Sequence, residues 1–306
     1  MFDCRINLIL SLAMIVLCRR DGICQESKDL TRAKLYFEMS KEPFPYVCAI
    51  FGERTEVYPN DNESNFRETW FLHSYSPKLN IHRHDHMDQS ETTSTGYTAL
   101  PMLELTMFLR NGKEFKQYLG ARPRKPPEKA DPLVPQSGVW TQTYFEPMAV
   151  PLIGFGCINQ PTIQYIGALD KLVGNYRLVE EETLDGLCVQ RYSNSRTIPV
   201  FDRVTFDERA GGMPVNVLRS LVQNGKDTIR ERITTKWTKV GERWLPISTE
   251  AEPKLRSLTS QWKVRFHWML KDIPDAVFVM DSPQILRAKQ LKDMAVEQWN
   301  AQMVKK

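Results

Sequence analysis

The sequence predicts a mainly β protein with few helices, built on one strongly curved antiparallel sheet of about ten strands. Two patterns carry this prediction. Apolar and polar residues alternate along many short segments, and Asn-Gly or Asp-Gly pairs separate several of these segments. The chain has 306 residues, of which 42% are hydrophobic, so it is long and apolar enough to bury a sizeable core.

The clearest predicted strand runs over residues 261–270. Apolar side chains occupy alternate positions there: Trp262, Val264, Phe266, Trp268 and Leu270. The positions between them, from Gln261 to His267, are polar. Because successive side chains of a strand point to opposite faces, this strand would have one apolar and one hydrated face.

Three hairpins are predicted from their turns, which contain Asn111-Gly112, Asp185-Gly186 and Gly241. Asn, Asp and Gly accept the positive φ angles that tight hairpin turns require. The hairpin strands are 103–109 with 114–119, 176–182 with 187–192, and 229–238 with 243–249. Further strands are predicted at 33–39, 68–75, 78–86 and 203–207.

Two helices and one long loop complete the predicted architecture. A short helix is expected at 162–172, between Pro161 and Gly174, and a longer one at 284–303, where apolar residues form a stripe. The segment 120–138 is rich in proline, which cannot donate to a strand ladder. We interpret it as a loop within one domain.

Residues 1–24 are predicted to be a signal peptide. Arg5 precedes an uncharged apolar run over 6–18, which Arg19 and Arg20 end. A secretory apolar region has roughly 7–15 residues, whereas a membrane span needs about 20. We therefore expect the mature chain, 25–306, to be a single β-rich domain without an integral membrane span. Its expected location is the periplasm or cell envelope, or outside the cell.

The cysteines leave the redox chemistry open. Cleavage after Cys24 would retain Cys48, Cys157 and Cys188, whereas cleavage after Cys18 would retain Cys24 as well. Buried free thiols are the favoured interpretation, and one disulfide is the alternative.

Charge and motifs exclude several function classes. The chain has 41 Lys and Arg against 37 Asp and Glu, a net charge of +4, without the basic cluster that nucleic-acid binding requires. The sequence contains no nucleophile elbow, phosphate-binding loop or dinucleotide-binding motif. A non-enzymatic role without a cofactor is therefore favoured.

One cluster could nevertheless hold a metal. His82, His84 and His86 would project from one face of the strand 78–86, and His73 is the nearest further ligand. This pattern supports an alternative function as a zinc-dependent hydrolase. The competing interpretation is that these histidines lie on the hydrated edge of an exposed strand.

Large aromatic residues provide a candidate ligand site. On a curved sheet they would line a concavity for a lipid-like molecule, or they would fill an ordinary core. The candidates are Trp70, Phe108, Trp237, Trp262, Phe266 and Trp268.

The order of these features resembles exported proteins of the LolA/LolB lipoprotein-carrier type, in particular long planctomycete-like versions. The resemblance rests on short sequence segments that follow the Asn111-Gly112 hairpin: Phe206-Asp207, Gly211-Gly212-Met213-Pro214 and Trp244-Leu245-Pro246.

That family implies a half-open β-barrel with helices on the concave side, and a non-enzymatic protein that binds lipoproteins or other hydrophobic ligands there. An envelope scaffold or sensor, recognised through the segment 120–138, is the third alternative.

Overall fold

The structure is a computed structural model. It describes residues 44–57, 64–93, 96–99, 102–111, 114–122, 134–139, 176–194, 200–223, 226–255, 258–279 and 288–304. Fourteen strands form one antiparallel sheet, and one α-helix lies at the C-terminal end of the described chain. The predicted fold class, mainly β with an antiparallel sheet and a C-terminal helix, is confirmed.

The first seven strands are β1 (Tyr46–Val57), β2 (Ser64–Ser76), β3 (Ile81–Thr93), β4 (Gly96–Ala99), β5 (Met102–Arg110), β6 (Glu114–Arg122) and β7 (Val134–Val139). The second seven are β8 (Tyr176–Leu184), β9 (Leu187–Asn194), β10 (Val200–Asp207), β11 (Met213–Gln223), β12 (Lys226–Val240), β13 (Arg243–Leu255) and β14 (Leu258–Met269). The helix is α1 (Ala288–Val304), and short 3-10 helices span Glu208–Ala210 and Asp275–Phe278.

The strand order places the first and last strands side by side at the centre of the sheet. It reads β7-β6-β5-β3-β2-β1-β14-β13-β12-β11-β10-β9-β8, with β4 paired to β3. The β1–β14 ladder runs without a break from Val47 opposite Met269 to Val57 opposite Thr259. In the described chain β7 and β8 end this order and do not pair with each other, so the sheet is open.

Two apolar clusters cover the two faces of the central strands. The first, on what we call the aromatic face, includes Tyr46, Cys48, Ile50, Phe266 and Trp268. The second, on what we call the helix face, includes Val47, Ala49, Leu72 and Met269, together with Val277 and Phe278 of a 3-10 helix and Ala288, Leu291 and Ala295 of α1.

Helix α1 packs mainly on β14 and β1. Its buried residues Ala288, Leu291, Ala295 and Trp299 are spaced three or four apart, which places them on one side of a helix. Trp299 joins the first cluster, whereas the other three join the second. No described helix combines the length and apolar character needed to cross a membrane.

Most predicted elements are confirmed. The three hairpins form with the expected partners, and Asn111, Asp185, Gly186 and Gly241 have positive φ angles. The predicted C-terminal helix is α1. Cys48 and Cys188 are buried, as expected. The signal peptide, the strand 33–39 and the helix 162–172 lie outside the described residues.

The loop predicted over 120–138 is wrong at both ends. Strand β6 extends to Arg122, and Val134–Val139 forms β7 beside it; residues 123–133 are outside the described ranges. Pro135 lies in β7, which ends the described sheet, and edge strands are among the places where a sheet tolerates proline. Residues 78–80, predicted to begin a strand, belong to the turn 77–80 before β3.

Trp244 packs directly on Gly211, which ends the 3-10 helix Glu208–Ala210 with a φ angle of 67°. A Cβ at Gly211 would collide with the indole of Trp244, whereas a Cβ at neighbouring Gly212 would meet no atom within 4 Å. Both glycines have positive φ angles. Of these two glycines, Gly211 alone combines a positive φ angle with a side chain, that of Trp244, packed against its Cα.

We predict that Gly211→Ala destabilises the protein more than Gly212→Ala. Each alanine pays the left-handed backbone cost of about 1–2 kcal/mol, and Gly211→Ala must also displace the indole at a further cost of about 1 kcal/mol or more. Urea denaturation followed by far-ultraviolet circular dichroism measures both. Equal losses in the two variants would contradict the Trp244 contact.

Candidate functional site

A chain of ring contacts occupies the centre of the aromatic face. The Tyr46 ring lies 5.5 Å from Trp268 on β14, 5.5 Å from Phe44 and 6.2 Å from Tyr75 on β2, measured between centroids. Burial raises the pKa of the Tyr46 hydroxyl above its usual range. The Tyr46 hydroxyl is therefore neutral at physiological pH, whereas the Phe44 ring has the Arg243 guanidinium 4.3 Å from its centroid.

Two tryptophans on this face satisfy their indole N–H groups with proline carbonyls. Trp268 Nε1 donates to Pro246 O at 2.9 Å, and Trp237 Nε1 donates to Pro214 O at 2.8 Å. A buried indole needs such a partner. With their donors already bonded, the rings contribute apolar contact area to the aromatic face.

The β12–β13 hairpin carries four of the apolar residues of the aromatic face that are only half buried. Trp237, Val240, Trp244 and Ile247 all pack against the first cluster without being fully buried. We call these four residues the apolar rim. It provides contact area for an apolar ligand next to a closed core.

The six predicted aromatic residues do not line one surface. Phe266, Trp268 and Trp237 belong to the aromatic face, but Trp70 and Phe108 are buried in the second cluster, on the helix face. The assignment of Trp70 and Phe108 to the same concavity is therefore corrected. The side chain of Trp262 lies outside what the structure describes. Alternation in the sequence shows which residues of one strand share a face. Which face of the sheet that is depends on the register between strands.

Three of the predicted histidines, His73, His82 and His84, lie on the aromatic face. His73 on β2 is directly opposite His84 on β3, with ring centroids 4.6 Å apart. His82 stacks on Tyr75 at 4.3 Å. The interpretation of these histidines as the hydrated edge of an exposed strand is wrong, because β3 pairs with both β2 and β5 and its side chains His84, Arg83 and Asp85 are buried.

His82 is held neutral by its surroundings. Burial, and secondarily the nearby His73, lower the pKa of His82 to about 4. Its Nε2 atom is buried and has no hydrogen-bond partner. An unprotonated imidazole is the form that binds metals.

The zinc site remains a prediction. Among the residues that the structure describes, no three His, Cys, Asp or Glu side chains are grouped to hold a metal ion. The side chain of His86, one of the three proposed ligands beside His82 and His84, lies outside the described set.

A buried ion pair occupies the helix face of β3. Arg83 Nε donates to Asp85 Oδ2 at 2.8 Å, and the two side chains are 1% and 0% exposed. Asp85 also accepts from Thr106 Oγ1, and Arg83 donates to Val277 O at 3.1 Å. The Arg83 guanidinium lies 5.5 Å from the centroid of the Phe108 ring. The pair thus connects β3 and β5 to the 3-10 helix Asp275–Phe278.

Sequence reasoning missed Tyr46 and Tyr75 as members of the aromatic face. Tyr46 lies in β1, which was not predicted because apolar residues follow one another from Val47 to Phe51 instead of alternating. Such a continuous run is typical of a strand buried on both faces, and this signal could have identified β1.

Comparison with known proteins gives likenesses of fold only. No protein-family model matches the chain, and no curated protein does. The structure is similar to that of a LolA superfamily protein from Nitrosomonas europaea, with 11% identity, a TM-score of 0.40 and coverage of 83% of this chain and 98% of that one.

Two further structures are similar at the same level. A DUF1329 family protein from Desulfovibrio piger has 11% identity, a TM-score of 0.39 and coverage of 83% and 96%. A domain from Vibrio parahaemolyticus described as an outer membrane lipoprotein-sorting protein has 12% identity, a TM-score of 0.37 and coverage of 87% and 99%.

We predict that Asp85→Ala destabilises the protein by about 3–5 kcal/mol, because it leaves the Arg83 guanidinium buried without its counterion. The double variant Arg83→Met/Asp85→Val removes both charges and should cost clearly less, since no unpaired charge remains. Chemical denaturation of both variants tests this. A double variant as unstable as Asp85→Ala would show that the apolar pair cannot replace the ion pair.

We predict that His82 makes the fold acid-sensitive. Its folded pKa of about 4 lies below the ordinary value of 6.5, so the unfolded chain takes up the proton first as the pH falls. Stability is therefore lost between pH 6.5 and 4, by up to about 3 kcal/mol, and His82 contributes no further loss below that window.

The variant His82→Gln should show a flatter decline in unfolding free energy over this range, measured in buffer that contains a chelator. The control is His267→Gln. Because burial and Arg265 also lower the pKa of His267, the effect of this variant on the pH profile should add to that of His82→Gln. An unchanged pH profile in His82→Gln would contradict the assignment.

Proposed function

We propose that this chain is an exported cell-envelope protein that binds a hydrophobic or lipid-modified ligand on its aromatic face, without catalysing a reaction. One observation carries the proposal: the apolar rim leaves two tryptophans, a valine and an isoleucine half buried beside a fully packed aromatic core. Half-buried apolar clusters of this kind are typical of ligand-binding surfaces.

The energetics favour an acyl chain as the ligand. Each methylene group transferred from water to an apolar surface contributes about 0.8 kcal/mol, so contact along several methylenes is enough for reversible binding. The indole N–H of Trp237 already donates to Pro214 O. This ring therefore offers a ligand apolar area rather than a hydrogen bond, and an acyl chain can use such an area along its length.

The opposite face of the same strands is suited to water. Arg232, Lys236, Glu250 and Lys263 of β12, β13 and β14 are all exposed, and they carry charges of both signs. Such a surface keeps a protein soluble. The chemical asymmetry of these strands restricts an apolar ligand to the aromatic face.

Location follows from the predicted leader. An exported chain encounters lipoproteins and free lipids in the cell envelope, and the resemblance of its short sequence segments to the LolA/LolB type implies the same environment. The lipoprotein partner and the periplasmic location are part of this proposal.

We predict that Ile247→Asp weakens binding of a fluorescent diacylated lipopeptide about tenfold or more, because it places a carboxylate against the acyl chain. Ile229→Asp is the matched control, since Ile229 is 38% exposed and does not belong to either apolar cluster. Fluorescence anisotropy measures both affinities. Wild-type binding by Ile247→Asp, equal losses in the two variants, or no binding by the wild type would each contradict the proposal.

A further inference from the structure

A row of soft potential ligands crosses four neighbouring strands on the aromatic face. Cys48 on β1 is opposite His73 on β2, His73 is opposite His84 on β3, and His84 is opposite Met107 on β5. Residues directly opposite in antiparallel strands project from the same face, with Cβ atoms about 4.5–5.5 Å apart. The row therefore offers a thiol, two imidazoles and a thioether in sequence.

The two imidazoles at the centre of the row are close and protected from water. Their ring centroids are 4.6 Å apart with an interplanar angle of 56°, and His73 and His84 are only 7% and 6% exposed. Met107 is half buried beside them. Side chains from neighbouring strands at this spacing are long enough to converge above the middle strand, β3.

Ligand chemistry distinguishes between metals. Thioether and imidazole ligands suit Cu(I), whereas a structural zinc site requires four ligands drawn from thiolate, imidazole and carboxylate. The described residues contain no such zinc grouping even of three members. Cys48, His73 and His84 are therefore not grouped to hold a metal ion together, which leaves Met107 as the sulfur ligand beside the two imidazoles.

We propose that His73, His84 and Met107 form a binding site for one Cu(I) ion. This set differs from the zinc set His82, His84 and His86, because it draws its ligands from three strands rather than one and includes a sulfur ligand. It is independent of acyl-chain binding, since the apolar rim lies on β12 and β13.

Competition with a chromophoric Cu(I) chelator, bicinchoninate, under anaerobic conditions tests the site on the full chain. We expect about one equivalent of Cu(I) per chain. Loss of groups outside the first coordination shell already costs about 10–100-fold in metal affinity, so Met107→Leu should weaken binding about tenfold or more, and His84→Phe similarly. The matched controls are Met269→Leu and His267→Phe, which alter residues on the other face of the sheet.

A second readout follows the sulfur directly. In a sample labelled with ¹³C-methyl methionine, Cu(I) should shift the methyl resonance of Met107, assigned with Met107→Leu, and leave that of Met269 in place. This measurement uses the wild-type protein and so does not depend on any variant folding. No binding by the wild type, an unshifted Met107 resonance, or unchanged affinity in Met107→Leu would each overturn the proposal.

Discussion

The pairing of β1 with β14 is the constraint on which the rest of the structure depends. It joins the two halves of the chain at the centre of the sheet, so that β2 to β7 extend from one side and β13 to β8 from the other. Both apolar clusters are built around these two strands: Cys48 and Trp268 are opposite each other on the aromatic face, and Val47 and Met269 on the helix face. Without this ladder neither cluster would be complete.

The two faces of the sheet are covered in different ways. On the helix face, α1 and the 3-10 helix Asp275–Phe278 cover the central strands, and the buried Arg83–Asp85 pair satisfies its charges internally and bonds to Val277 O. On the aromatic face, rings, imidazoles and a half-buried apolar rim lie side by side. The first arrangement fixes a helix to the sheet, whereas the second leaves apolar side chains partly exposed.

Local patterns predicted the elements but not their mutual arrangement. The hairpins were predictable because turn residues such as Asn111 and Asp185 determine the backbone within a few positions, and β14 was predictable from its alternation. β1 was not, because it is buried on both faces and lacks that alternation. The site was predicted only in part, because alternation cannot show that Trp70 and Trp268 lie on opposite faces or that His84 is opposite His73. Those facts depend on register between strands that are distant in sequence.

The β1–β14 ladder also determines when the sheet can fold relative to synthesis of the chain. Val47 and Met269 are partners, so the ribosome must reach Met269 before the middle of the sheet can assemble, and closing so large a loop slows folding. During that interval the nascent polypeptide has no finished core. Until the central ladder forms, the chain therefore remains unfolded enough to pass through a narrow channel.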